Sequence, residues 1–242
     1  MPIKVLREST AVKEFSRFAH VYEQYNMIQA KVAESLVAQL KQTHYPMIID
    51  LGCGSGAIYR NLQKYAISCD RFVGVDLSSQ MLDIHPSAEN IIKIHGDFNS
   101  DDIFDEILLE DDALILSSSA LQWSDDIDAV FRRLAKYGRK YRFAIFTSNT
   151  FKTLHKTAGI DSPIYDEKSL RNIIEIYYDA TFKLEQYALE FSDTRSLFRY
   201  IQKSGVSGGE RKLGYTQMKK VMEEYPLSYL EFEVLFVEAI AR

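Results

Sequence analysis

The apolar positions of this chain change period along its length. Between residues 11 and 40 they fall three and four apart. Phe15, Phe18, Tyr22, Tyr25 and Ile28, continued by Val32, Leu36 and Leu40, make the stripe of a helix with one buried face. Pro46 ends any helix before it. Beyond it, short apolar runs alternate with helical stretches. MIIDL (47–51), RFVGVDL (71–77), NIIKIHGDF (90–98), DALILSSS (112–119) and KYRFAIFTS (140–148) are strand candidates. AIYRNLQKY (57–65), SSQMLDIH (78–85, with a serine cap) and SDDIDAVFRRLAKY (124–137) are helix candidates between them. Strands separated by helices predict βαβ units around a parallel sheet, an α/β fold. Further on, DEKSLRNIIEIYY (166–178) and TRSLFRYIQKSG (194–205) are helical, the latter stopped by Gly205. FKLEQYALEF (182–191) is a strand candidate, and residues 208–226 are a loop followed by a helix. YLEFEVLFVEAIA (229–241), rich in Val and aromatics, is a long closing strand.

Composition leaves this picture intact and narrows the function. The chain has 242 residues, enough for one α/β domain with a sizeable core. A net charge of −5 argues against a general nucleic-acid binder. No apolar run reaches the ~18 residues of a membrane helix, and the start lacks the apolar core of a signal peptide. Cys53 and Cys69 form no metal pattern and are read as free thiols, so a cytoplasmic location is expected. Charge is unevenly spread. Residues 97–112 are acidic, whereas residues 195–220 hold seven lysines and arginines against the single Glu210.

Candidate chemistry begins at IIDLGCGSG (48–56). Gly52, Gly54 and Gly56 follow an apolar strand and precede a helix, where an open α/β sheet binds its ligand. The spacing is not the G-x-G-x-x-G of a dinucleotide site. Asp50 just before the turn would repel a pyrophosphate and suit a cation. S-adenosylmethionine, with an ammonium, a sulfonium and no phosphate, fits. Asp76, ending the second strand, can accept from two ribose hydroxyls. Asp97 can take the adenine amino group while Phe98 packs on the ring.

With these residues in place, the block resembles the class I S-adenosylmethionine-dependent methyltransferases. The resemblance implies a Rossmann-like, seven-stranded, mostly parallel sheet with helices on both faces and the last strand antiparallel. It also implies that Leu77, Met81 and Ser117 join the donor pocket, that S-adenosylhomocysteine is the product, and that no metal is needed. Four further stretches, FSRFAHVYEQYNMIQ (15–29), SSSALQW (117–123), TLHK (153–156) and SLFRYIQKSGVSGG (196–209), together resemble the malonyl-acyl-carrier-protein O-methyltransferases of biotin synthesis over nearly the whole chain. The chain departs from that pattern at Asn26 (usually Ala), at Ser117-Ser118 (usually Ser-Asn), at Lys156 (usually Glu) and in the loop after Gly205.

The expectation is therefore a monomeric carboxyl O-methyltransferase in one domain. Residues 1–45 would be an N-terminal helical cover, 46–149 the donor-binding core, 150–220 a helical lid over the acceptor, and 221–242 the last helix and closing strand. Tyr22 would close the donor pocket onto the methionine carboxylate. Gln122 and Trp123 would wall the acceptor, and His155 could steer it. Arg195, Arg199 and Lys203, four apart on one helical face, would meet an acidic acyl carrier protein or its phosphate. No catalytic base is expected, because a carboxylate is already ionised at neutral pH. A trans-aconitate-like carboxyl methyltransferase, which ALQW also resembles, and a non-catalytic sensor of the donor are the alternatives.

Overall fold

The computed structural model describes residues 25–100, 112–203 and 215–242, with Ile103 and Ile107 between the first two spans. Tyr22, the first half of the expected N-terminal helix, Gly205 and the side chain of Lys203 lie outside the described residues. In chain order the elements are α1 (Met27–Ala38), β1 (His44–Leu51), α2 (Ala57–Lys64), β2 (Ser68–Asp76), α3 (Ser79–Ile84), β3 (Ile91–His95), β4 (Leu114–Ser118), α4 (Ile127–Tyr137), β5 (Lys140–Phe146), α5 (Lys152–Ala158), α6 (Glu167–Tyr177), β6 (Tyr178–Glu190), α7 (Thr194–Lys203), α8 (Tyr215–Glu224) and β7 (Tyr229–Ala241).

The strands form one seven-stranded sheet in the order β3-β2-β1-β4-β5-β7-β6. β1 to β5 pair in parallel, and β7 runs antiparallel to both β5 and β6. Period-two alternation explains why both faces carry helices. Leu114 and Leu116 of β4, Phe146 of β5, and Phe232, Val234 and Phe236 of β7 face one core, shared with Ile28, Val32 and Leu36 of α1 and Ile58 and Leu62 of α2. Their neighbours Ile115, Phe143, Ile145, Leu235 and Val237 face the other core, with Val130, Phe131 and Leu134 of α4 and Leu170 and Ile174 of α6. The sheet order reverses at β1, so the crevice between β1 and β4 at their carboxyl ends is the topological switch point.

Several boundaries differ from the sequence reading. β1 begins at His44 and includes Pro46, which lacks an N–H but sits near the strand's start. β3 ends at His95, so Asp97 and Phe98 occupy the turn beyond it rather than its last residues. α5 was not anticipated as a helix, because none of its residues is fully buried and so no apolar stripe marks it. The 150–220 span expected to be a lid also supplies α6 and β6 to the sheet, and its boundary at 220 falls inside α8. Between the end of β6 at Glu190 and the start of β7 at Tyr229 the described residues form α7 and α8.

Candidate functional site

The crevice is built by the segment that leaves β1. Gly52, Gly54 and Gly56 all have positive φ (+73°, +51° and +88°), a region that side chains disfavour. Gly52 also permits a close approach: a Cβ there would stand 2.3 Å from the Cβ of Ala120. Around Gly54, by contrast, a Cβ would meet nothing within 4 Å, so its backbone borders open space. The turn is tied to β2 by backbone. The N–H groups of Gly52 and Cys53 both donate to the Val75 carbonyl, at 2.8 and 3.0 Å. Cys53 packs against Gly74, and burial pushes its thiol well above the ordinary range, so it is an inert packing residue.

Asp76 accepts from the Gly54 N–H through one oxygen and from the Ser78 N–H through the other, both at 2.8 Å. Burial raises its pKa, against the lowering effect of those donors. The carboxylate thus ties the glycine turn to the end of β2 and keeps lone-pair capacity for a ligand. Asp50 differs. It is 1 % exposed, and neither carboxylate oxygen has a hydrogen-bond partner. Burial, with the nearby charge of Asp76 second, pushes its pKa up to about 8. A buried polar group without a partner requires an explanation, and a cation placed beside Asp50 would supply both the charge and the donors.

The remaining donor candidates surround this pair. Phe98 is half-buried, with its ring edge 3.9 Å from where a Gly52 Cβ would be. Asp97 accepts through one oxygen from the N–H and side-chain amide of Asn99, both at 2.8 Å, which leaves its second oxygen outside that turn. Ser78 caps α3 by accepting from the N–H of Met81, itself buried. The Leu77 carbonyl accepts from His95 Nε2 at 2.9 Å. Ser117 donates to the Leu51 carbonyl at 2.8 Å, fastening β4 to the end of β1.

The acceptor side begins at Ser119, which has φ +59° and leads into a short 3₁₀ turn over Leu121–Trp123. Gln122 is buried and donates to the Ser119 carbonyl at 2.7 Å, while its Oε1 has no partner. The hydroxyls of Ser118 and Ser119 are likewise buried without partners, and Trp123 is half-buried beside them. Sequence reasoning missed the two serines as site residues; the signal was a run of hydroxyls at the end of a wholly apolar strand. On α1, Gln29, the last position of the N-terminal motif, is also buried with an unpartnered Oε1.

The structure does not bring every candidate into this crevice. Arg195 and Arg199 are exposed on α7, which turns Leu197, Tyr200 and Ile201 into the core. His155 lies on α5, edge-on to Phe151 at 6.4 Å, and lines a separate cavity. Nearby, Glu233 of β7 is buried and accepts from Thr147 (2.6 Å), Asn149 (2.9 Å) and Gln186 (3.2 Å). These bonds lower its pKa against the opposing effect of burial, and they hold the segment after β5. Among the described residues no group of three or more His, Cys, Asp or Glu is placed to hold a metal ion, and no helix is long and apolar enough to cross a membrane.

A family profile described as a methyltransferase domain matches residues 49–139. The chain is 26 % identical over 269 residues to the malonyl-[acyl-carrier protein] O-methyltransferase of Brevibacillus brevis, covering 94 % of both chains. It is 24 % identical over 225 residues to the protein of that name from Bacillus cytotoxicus, covering 84 % of this chain and 78 % of the other. Among solved structures, YcgJ of Bacillus subtilis has the same fold with a TM-score of 0.61 at 11 % identity, over 88 % of this chain and 98 % of that one. A phosphoethanolamine N-methyltransferase of Haemonchus contortus, solved with S-adenosyl-L-methionine, superimposes with a TM-score of 0.56 at 13 % identity, over 93 % of this chain and 57 % of that one.

Proposed function

We propose, from the premise that this chain is a class I S-adenosylmethionine-dependent methyltransferase, that its acceptor is the free carboxylate of malonyl-acyl-carrier protein and its product the methyl ester. The observation that carries the donor half is Asp50: a buried carboxylate without a partner, beside a turn whose Gly54 backbone borders open space. The residues fit the donor. Asp50 would receive its ammonium, Asp76 its ribose hydroxyls, and Phe98 its adenine face. When bound, S-adenosylmethionine supplies a sulfonium methyl: an acceptor lone pair forms the O–C bond as the C–S bond breaks, and that electron pair stays on sulfur.

What the chain must add is alignment and dryness. Ser118, Ser119 and Gln122, buried and each with an unpartnered oxygen, border the end of β4. They are neutral groups suited to orienting an acceptor rather than deprotonating it. A carboxylate, ionised at neutral pH, needs no base there. The relatives' names support malonyl-carrier protein as that carboxylate. Arg195 and Arg199, exposed on α7, would meet the acidic carrier.

The test is incubation with methyl-labelled donor and, separately, malonyl-carrier protein, malonyl-coenzyme A and trans-aconitate. Label on the malonyl-carrier protein as a base-labile ester is expected. Label on trans-aconitate alone would overturn the acceptor. Label on none, with S-adenosylhomocysteine still bound, would make the protein a sensor.

A further inference from the structure

Beyond the donor crevice, the segment after β5 lines a second, widely open cavity of about 620 Å³. One wall is α5, which presents Lys152, His155 and Lys156, three and four positions apart and so on one side of the helix. The other wall is the loop carrying Ser162 and Tyr165, closed by a bond from the Ser148 N–H to the Tyr165 carbonyl at 2.9 Å. The α5 wall is anchored from β7. The Phe151 N–H donates to the Glu231 carbonyl at 2.8 Å, and the Thr153 N–H to the Glu231 carboxylate at 2.9 Å. The cavity is therefore held in shape by the sheet rather than formed by a loose loop.

Its border carries two lysines and two acidic residues, which differ in what their polar atoms already bond. Both oxygens of Asp166 are engaged in capping α6, accepting from the N–H and hydroxyl of Ser169 at 3.0 and 2.6 Å. Asp161 is exposed to solvent, as Lys152 and Lys156 are, so solvent screens all three alike. Neither Lys152 nor Lys156 has an ion pair among the described residues, although the charge of Lys152 is felt at Glu233. The Ser162 hydroxyl is buried and has no partner. Two ammonium groups and a spare hydroxyl, in a space far larger than a carboxylate fills, suit a tetrahedral phosphate.

We propose that this cavity is a phosphate subsite, in which Lys152, Lys156 and the Ser162 hydroxyl hold the phosphate ester of the arm that presents the thioester acceptor. The proposal rests on the malonyl-thioester reading of the acceptor. That arm carries a phosphate whether it is attached to a carrier protein or belongs to coenzyme A, so both sources are tested.

Initial rates are measured with malonyl-carrier protein, malonyl-coenzyme A and the phosphate-free malonyl-N-acetylcysteamine. The enzymes are the wild type, the double variant Lys152→Ala/Lys156→Ala, and a control, Lys168→Ala, which removes an exposed lysine outside the cavity. The double variant is expected to raise KM at least about tenfold for both phosphate-bearing acceptors, through the loss of two charge-assisted contacts, with kcat and the phosphate-free KM little changed. Equal rises for all three acceptors, a rise for the carrier protein alone, or no rise beyond the control's would each overturn the subsite. If the wild type methylates none of the three, the acceptor reading fails on its own, and calorimetric titration with inorganic phosphate decides the cavity. Binding by the wild type that the double variant loses upholds the subsite; no binding, or equal binding, overturns it.

Discussion

Replacing Asp50 with asparagine should make the protein more stable and less able to bind its donor. In the folded chain the Asp50 carboxyl, 1 % exposed and without partners, has its pKa pushed from the ordinary 3.8 up to about 8. Between those values the folded state keeps a proton that the unfolded state has released. Stability therefore falls as pH rises from about 4 to about 8, by about 1.4 kcal/mol per pH unit, and levels off above. At pH 7 the loss from this one group is about 4 kcal/mol, since roughly three pH units separate neutrality from the unfolded pKa. Asparagine has the same shape and no charge to ionise. It inherits the lack of partners that the protonated acid already suffers, so that cost cancels in the comparison. The assay is urea unfolding of both proteins at pH 5, 6, 7 and 8, paired with calorimetric titration of S-adenosylmethionine. The expected result is a gap that opens from about 1–2 kcal/mol at pH 5 to about 4 kcal/mol at pH 7, alongside donor binding weakened at least tenfold. Parallel stability profiles, or a variant less stable than the wild type at pH 7, would refute the reasoning.

The two glycines that flank Cys53 should separate folding from binding. Gly52→Ala drives a methyl into Ala120 and should cost about 3 kcal/mol in denaturant unfolding, whereas Gly54→Ala adds only left-handed strain of about 1 kcal/mol and instead weakens S-adenosylhomocysteine binding. Arg199→Glu should slow methylation of the carrier-bound acceptor about tenfold at low salt, less at high salt, while S-adenosylhomocysteine binds as before; equal rates would remove the docking role. Glu233→Gln leaves a donor among Thr147, Asn149 and Gln186 without its charged acceptor and should cost about 1–3 kcal/mol at pH 7. Because the folded pKa of Glu233 lies below its ordinary value of 4.5, its contribution is present at neutral pH and lost on acidification. The gap between wild type and Glu233→Gln should therefore narrow below pH 4.5, and a constant gap would count against the ionised carboxylate.

The strands β4, β5 and β7, the serine cap at Ser78, and the glycine turn were all legible without coordinates. Each depends on residues within a few positions of one another: a side chain's face follows from period two, a cap from one hydroxyl or carboxylate, and a turn from φ angles that glycine permits. The seven-stranded sheet and its antiparallel last strand followed from the resemblance of the glycine block and its aspartates to a known family, not from periodicity; the order of the strands came only with the fold.

Other features were decided by parts of the chain that meet only in the fold. Whether Asp50 is partnered depends on β2 and β4, whose Gly74 and Leu116 flank it, and neither brings it a donor. The O–H of Ser117 is committed to a carbonyl 66 positions away, which leaves only its oxygen to meet a ligand. The basic residues of α7 could have faced the crevice or the solvent; burial of Leu197 and Tyr200 against the sheet chose the solvent. The cavity beside α5 has no sequence signature, because its walls have no common period and are fixed by glutamates of β7 nearly eighty residues away. Local chemistry is written in the order of residues, but burial and the pairing of polar groups are sums over neighbours, and those sums exist only once the sheet has closed.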